Sequence, residues 1–497
     1  MKKANRRGEG KGNRLFFLFF AVFLELFTVA VGAITLSSAF ALARAAATAL
    51  AVLSLLHLQG TPMPFECKYS WAVFLLLFPS FAPVAYWTLS RPVLGRKKKR
   101  LLSEIYLAGK PYRLPEDYPK KGYLSLQTGF LPEKRDEVEY FSMGDPFFFA
   151  LKEELNRAEK FIFLEYFILA DGKLWREIKK ILSEKAKNGV EIRILYDDFG
   201  SLRRISPHFC REMRDLGIKS KPFHLTRPIL SPFANNRDHR KIAIVDGKKA
   251  FLGGANIGDE YVNEEKRFGV WKDAGVKITG RSVKGITLLF LEMWAYAVGK
   301  VESFEPFLRV RYPVFSEETL VHPFGDGPRP VYGEAIAENL YASLIENAKG
   351  SVCIMTPYLI LPERIKRALI LAAMRGVKVE IFLPGIPDKK AVYRMTRRYA
   401  AELINRCVYV YMYKKGFLHS KVMLCDRKSG IVGTVNMDFR SLYHHYECGV
   451  YLKGEACKKI EEDFDRLREQ SERLEKGKIG VAERAITSLG VLLAPLL

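Results

Sequence analysis

Hydrophobic positions are distributed in two ways along this chain, and the change falls near residue 100. Before it, apolar residues come in long unbroken runs. Residues 15–36, LFFLFFAVFLELFTVAVGAITL, form a run of about 22 residues with one charge, Glu25. That length crosses a hydrocarbon core as a helix. Residues 41–58 form an Ala-rich run carrying Arg44, the weakest of the three. Residues 70–90 form another that contains Pro79 and Pro83. Prolines are tolerated in membrane helices when neighbours satisfy the freed carbonyls. The first run is too long, and too closely followed by others, for a cleaved signal peptide.

After residue 100 the patterning becomes that of a folded α/β domain, and it occurs twice. In the first copy, residues 159–168 read as a buried strand and 174–190 as an amphipathic helix ending at a Gly. Residues 191–200 are a strand running into a loop. In the second copy, 350–360 is the strand, 364–377 the helix with its Gly, and 379–388 the next strand and loop. The repeat is domain-sized rather than solenoid-sized. Strands alternating with helices predict an α/β fold in each half. The Pro- and Gly-bearing stretch 310–330 holds the junction. The predicted organisation is a membrane anchor over 1–100, a first half over 101–315 and a second over 316–497.

Charge narrows the partner. Lys plus Arg is 79 against 55 for Asp plus Glu, a formal charge of +24, which suits an anionic partner. The segment before the first run is basic, and so is residues 96–100, RKKKR. Basic flanks favour the cytoplasmic side, and placing both there requires an even number of crossings, whereas the apolar runs number three. A multi-pass anchor of two or three helices with a cytoplasmic catalytic part is the expectation. The seven cysteines are scattered, without CxxC or Cys/His spacing, which predicts a reducing compartment and no zinc site.

Each half carries His, one spacer, Lys, four spacers, Asp: His239, Lys241 and Asp246, then His419, Lys421 and Asp426, about 180 residues apart. On a strand, His and Lys two apart project from one face, while the Asp, an odd number away, points elsewhere or sits at the turn. The His and Lys are therefore presented together, and the Asp organises the structure. Residues 239–254 read as a hairpin with its turn at Asp246-Gly247. A Lys ammonium neutralises a phosphate oxygen, and an imidazole attacks or transfers a proton. Two facing pairs put one histidine on each side of a phosphorus, as in-line displacement requires. The two lysines supply the charge stabilisation that a metal would otherwise give, so no cofactor or metal is expected. Asp273 and Glu447, at comparable offsets downstream, are candidate orienting carboxylates. Asn256 and Asn436 follow the motifs at nearly matched spacing and are candidate donors to phosphate oxygens. His208, His224, His444 and His445 take an ordinary structural reading.

The duplicated motif resembles that of the phospholipase D superfamily, and the blocks 238–261, 416–426 and 432–447 resemble bacterial cardiolipin synthases. TPYLI, AAMRGVKVEIFLPGIPD and the closing LLAPLL resemble them too. The chain departs from that pattern in its three apolar runs and in LYHHYE, where a Phe and an Asn are more usual than Tyr443 and the two histidines. The resemblance implies two phospholipase D-like halves, each a β-sheet flanked by helices, related by a pseudo-twofold axis behind N-terminal transmembrane helices. It implies transfer of a phosphatidyl group between two phosphatidylglycerol molecules, giving cardiolipin and glycerol through a covalent phosphohistidine. His239 would be the nucleophile and His419 the general acid/base. The expected location is the bacterial cell membrane. The alternative is another phosphatidyl transferase, such as a phosphatidylserine synthase, or a hydrolytic phospholipase D. A nucleic-acid phosphodiesterase is disfavoured by the apolar runs and by the lack of a recognisable nucleic-acid module, so no nucleic-acid partner is expected.

Overall fold

The computed structural model describes residues 38–90, 95–115, 118, 122–224, 236–316, 319–329, 331–476 and 481–496. The apolar run 15–36, with Glu25, lies outside them. The described residues fall into two compact units: those of 95–224 with 236–488, and those of 38–90 with 489–496.

The larger unit contains two sheets of matching topology. The first has seven strands in the order Glu137–Phe141, Gly275–Thr279, Lys249–Gly253, Lys241–Val245, Phe161–Tyr166, Glu191–Asp197, Lys219–Phe223. The last three run parallel and the other pairings are antiparallel. The second sheet repeats this order with Leu320–Asp326, Glu447–Lys453, Ser429–Gly433, Val422–Cys425, Ser351–Met355, Lys378–Pro384 and Tyr409–Tyr413, then adds the edge strand Ser471–Arg473. In both sheets the parallel strands lie on one side of the antiparallel motif hairpin, and Phe161–Tyr166 is buried along its whole length. Strands covered on both faces read as continuous apolar runs, which is why this segment lacks alternation.

One buried cluster joins the halves. Ile242, Ile244 and Leu252 of the first sheet share it with Met355, Val422, Leu424 and Val432 of the second. Helix Val283–Val298, apolar nearly all round, is buried in the same cluster and stacks Phe290 on Phe163 at 4.5 Å. A helix without a polar face must be enclosed. Each large side chain so buried contributes on the order of 2–3 kcal/mol, so the halves hold together through ordinary core packing.

The smaller unit packs helices Ser38–Gln59, Phe65–Leu77 and Ala82–Leu89 around Leu58, Trp71, Leu75 and Tyr86. Many of its outward residues are large and apolar, among them Leu42, Leu53, Leu56, Phe65 and Leu76. Among the described residues, one helix, Ser38–Gln59 with 22 residues, is long and apolar enough to cross a membrane. The ranking of the runs therefore changes. The Ala-rich segment with Arg44, the weakest by sequence, supplies that helix, whereas the run 70–90 is divided between two shorter ones. The break follows Pro79 and Pro83: Pro83 occupies the first turn of the new helix, where its missing N–H costs nothing.

Candidate active site

The two motifs begin at strand edges, and what pairs with those edges decides the site. Gly416–Leu418, leading into the second motif, pairs in parallel with Val270–Lys272 of the first half. His419 then donates its backbone N–H to Lys272 O at 2.7 Å. In the mirror arrangement, Asp238 bridges Tyr446, and His239 donates its N–H to Tyr446 O at 2.9 Å. Each histidine is thus docked beside the segment of the opposite half that carries a carboxylate. His239 Nδ1 lies 2.9 Å from Glu447 Oε1, and His419 Nδ1 lies 2.6 Å from Asp273 Oδ2. The carboxylates are exchanged: the first-half histidine is held by the second half, and the converse. Neither half alone contains a complete pair.

In the tautomer whose Nδ1–H faces the carboxylate, each neutral imidazole presents Nε2 as an acceptor. Lys241 and Lys421, each 1% exposed, turn their ammonium groups to the backbone carbonyls of His239 and His419 respectively. Burial lowers Lys241 to about 8 and Lys421 to about 7. Burial, followed by Lys241, His445, Lys421 and His419, holds His239 well below the usual imidazole range. Burial and Lys421 bring His419 down to about 4 against the opposing pull of Asp273. The carboxylates differ. Burial raises Asp273, but His419 and Lys421 outweigh it and keep it below the usual range. Burial raises Glu447 well above that range, although Lys241 and the Thr434 hydroxyl oppose it. A site with two buried lysines and two buried histidines is a strong attractor for a phosphodiester anion.

Asp246 and Asp426 lie away from this chamber. Their strands put them roughly 16 Å from Lys241 and Lys421, five residues away at about 3.3 Å per residue. Both adopt left-handed backbone, φ 53° and 51°, at the hairpin turns. Asp246 accepts from the N–H groups of Glu159, Lys160 and Phe161 at 2.7–2.9 Å. Asp426 accepts in the same way from Lys349, Gly350 and Ser351. Each carboxylate thereby ties the motif hairpin to the loop entering the central strand of its sheet. Asn256 accepts from Ile168 N–H and donates to the Tyr261 hydroxyl at 2.8 Å. Asn436 is 4% exposed, and its Oδ1 lacks a protein partner.

Several residues around the site were not singled out from the sequence. Thr434 donates its hydroxyl to Glu447 and accepts from Cys448 N–H at 3.0 Å. Gly254 holds the matching position in the first half, where any Cβ would overlap Asp273 Oδ1. His445 was assigned an ordinary role, yet its ring lies 5.3 Å from that of His239. The available signal was strand parity: His445 is two residues before Glu447 and so faces the same way. His239, His445 and Glu447 bring ligand-type atoms within 4.8 Å of one another. Lys241 and Lys421 oppose a dication there, and the set suits an anion better. His208, in contrast, is exposed.

The chain matches the family described as "Cardiolipin synthase, PLD-like domain" twice, over residues 151–277 and 341–468. It is 36% identical over 450 residues to "Cardiolipin synthase 2" of Bacillus anthracis, covering 86% of both chains. It is 35% identical over 427 residues to "Cardiolipin synthase" of Geobacillus sp. (strain WCH70), covering 84% of this chain and 80% of that one. Among solved structures, phosphatidylserine synthase of Haemophilus influenzae Rd KW20 superposes with a TM-score of 0.55 at 15% identity. That match covers 72% of this chain and 93% of that one, and it concerns the fold alone.

Proposed function

We infer the reaction from membership: the chain belongs to the cardiolipin synthase, PLD-like domain family, and we propose that it joins two phosphatidylglycerol molecules into cardiolipin. The observation carrying this reading is the exchanged pair of histidine–carboxylate contacts in one lysine-rich chamber. His239, neutral and oriented by Glu447, attacks phosphorus through Nε2. The phosphorus–oxygen bond to glycerol breaks, and the departing oxygen takes a proton from His419. The bound anion raises His419 from its low substrate-free value, and ionised Asp273 stabilises the imidazolium. A hydroxyl of the second lipid then returns its proton to His419 and displaces His239 from phosphorus, giving cardiolipin and restoring the enzyme. Lys241 and Lys421 hold the non-bridging oxygens, with Asn256 and Asn436 beside them, and Asp246 and Asp426 keep the hairpins in place.

Anchoring follows the same reading. Helix Ser38–Gln59, the run 15–36 and the exposed apolar residues of the small unit hold the enzyme in a bacterial membrane as a multi-pass protein, with its catalytic part cytoplasmic. Anionic lipid is then both substrate and surface for the +24 chain.

The test is to give the full-length, detergent-solubilised protein phosphatidylglycerol alone and follow lipid and water-soluble products together. Cardiolipin and glycerol in equal amounts are expected. Phosphatidic acid and glycerol without cardiolipin would make water the acceptor and the protein a hydrolase. Turnover only after serine or another alcohol is added would point to a different phosphatidyl transferase.

A further inference from the structure

Two positions before each orienting carboxylate stands an aromatic ring that carries an N–H: Trp271 before Asp273 and His445 before Glu447. Extended backbone places residues two apart on one face. Trp271 belongs to strand Val270–Lys272, and His445 is extended at φ −94°, ψ 151°. Each ring therefore reaches the histidine that its carboxylate holds, Trp271 at 5.2 Å from His419 and His445 at 5.3 Å from His239. The two sides of the chamber match in this respect, even though the residue types differ.

His445 is 8% exposed, and neither of its ring nitrogens has a hydrogen-bond partner. Glu447 Oε1 is 3.7 Å from its Nδ1, beyond hydrogen-bonding range. Buried polar groups are nearly always paired, and an exception beside a reacting centre calls for a ligand atom. The ring also faces cations: Arg440, His444, Lys241 and Arg237 all act on it, and with burial they hold it neutral. A neutral imidazole offers one N–H, and phosphodiester oxygens only accept.

We propose that His445 is a third imidazole of the phosphate pocket, a binding residue whose ring N–H donates to a non-bridging oxygen of the phosphodiester on the His239 side. This rests on the reading of the chamber as a phosphodiester site. Its ring lies against those of His239 and Phe167, so its contribution is to hold a phosphate oxygen, while the proposed mechanism gives the leaving group's proton to His419.

The experiment measures binding of inorganic phosphate to the full-length protein by calorimetry, together with KM and kcat for phosphatidylglycerol. His445→Phe keeps a flat ring and removes both nitrogens, and should weaken phosphate binding and raise KM about tenfold with a smaller change in kcat. His445→Asn restores an N–H donor and should recover most of that loss. Phosphate binding by His445→Phe equal to the parent's, or a His445→Asn no better than His445→Phe, would overturn the proposal. If the parent protein itself binds no phosphate, the phosphodiester reading falls and this inference with it. Should His445→Phe not fold, His445→Ala with added free imidazole replaces it: regained phosphate affinity supports the role, and no gain overturns it.

Discussion

The His239–Glu447 and His419–Asp273 pairs are built by the same strand register, yet their carboxylates have different surroundings. Behind Glu447 stands Thr434, whose hydroxyl bonds the carboxyl; behind Asp273 stands Gly254, which leaves only room for it, and Asp273 Oδ1 accepts from Ala274 N–H at 3.0 Å. The shorter acid lies tight against its histidine and stays ionised. The longer acid is pushed by burial toward its neutral form. On the mechanism proposed above, the duplicated halves serve as two unequal tools: a pair suited to keeping an imidazole neutral for attack, and one suited to supporting an imidazolium. Environment, and not motif identity, separates the roles.

Removing the histidines should break the comparison most sharply. His239→Ala and His419→Ala are each expected to lose at least about 10³-fold in turnover. Only His419→Ala should still accumulate a lipid–phosphoryl adduct from a phosphodiester with a good leaving group, measured by acid-quench mass spectrometry. An adduct in His239→Ala would reverse the assignment.

Exchanging the carboxylates for amides comes next. Asp273→Asn should cost about 10²–10³-fold in kcat, since an ionised partner of the imidazolium is lost. Glu447→Gln should cost about tenfold, because its amide oxygen still accepts from Nδ1–H. Equal losses would mean that the two acids carry the same charge during turnover.

The backing residues give a smaller contrast. Gly254→Ala drives a Cβ into Asp273 and should destabilise the fold by about 1–3 kcal/mol as well as lowering activity. Thr434→Ala removes one buried hydrogen bond, about 1 kcal/mol. Thermal unfolding and turnover of both variants measure the difference.

The two lysines provide the mildest test, through pH. With Lys421 near 7 and Lys241 near 8, kcat/KM should fall as pH rises through that range and the ammonium charges are lost. Stability should move the opposite way. An unfolded lysine holds its proton to about 10.4, so between roughly pH 7 and that value the unfolded chain binds more protons, and stability rises with pH. Lys421→Met should accordingly melt higher than the parent at pH 6 while being inactive.

Much of this was legible in the chain itself. Local patterning fixes which segments become strands, and the two-residue spacing of His and Lys puts both on one face whatever the rest of the fold does. The odd spacing to Asp246 and Asp426 sends them elsewhere, and the structure finds them at the hairpin turns, bonded to backbone amides. Repetition of the segment exposes the duplication. The sequence did not disclose that Asp273 serves His419 and Glu447 serves His239, because offsets along the chain relate each acid only to its own motif. The pairing of Gly416–Leu418 with Val270–Lys272, and of Asp238 with Tyr446, made that choice. Likewise, parity with Glu447 gives the face that His445 shares but not that this face meets His239, and the need for Gly at 254 cannot be read from neighbours in sequence. Both arise where two halves about 180 residues apart share one core, and close packing sets such distances only once the chain has folded.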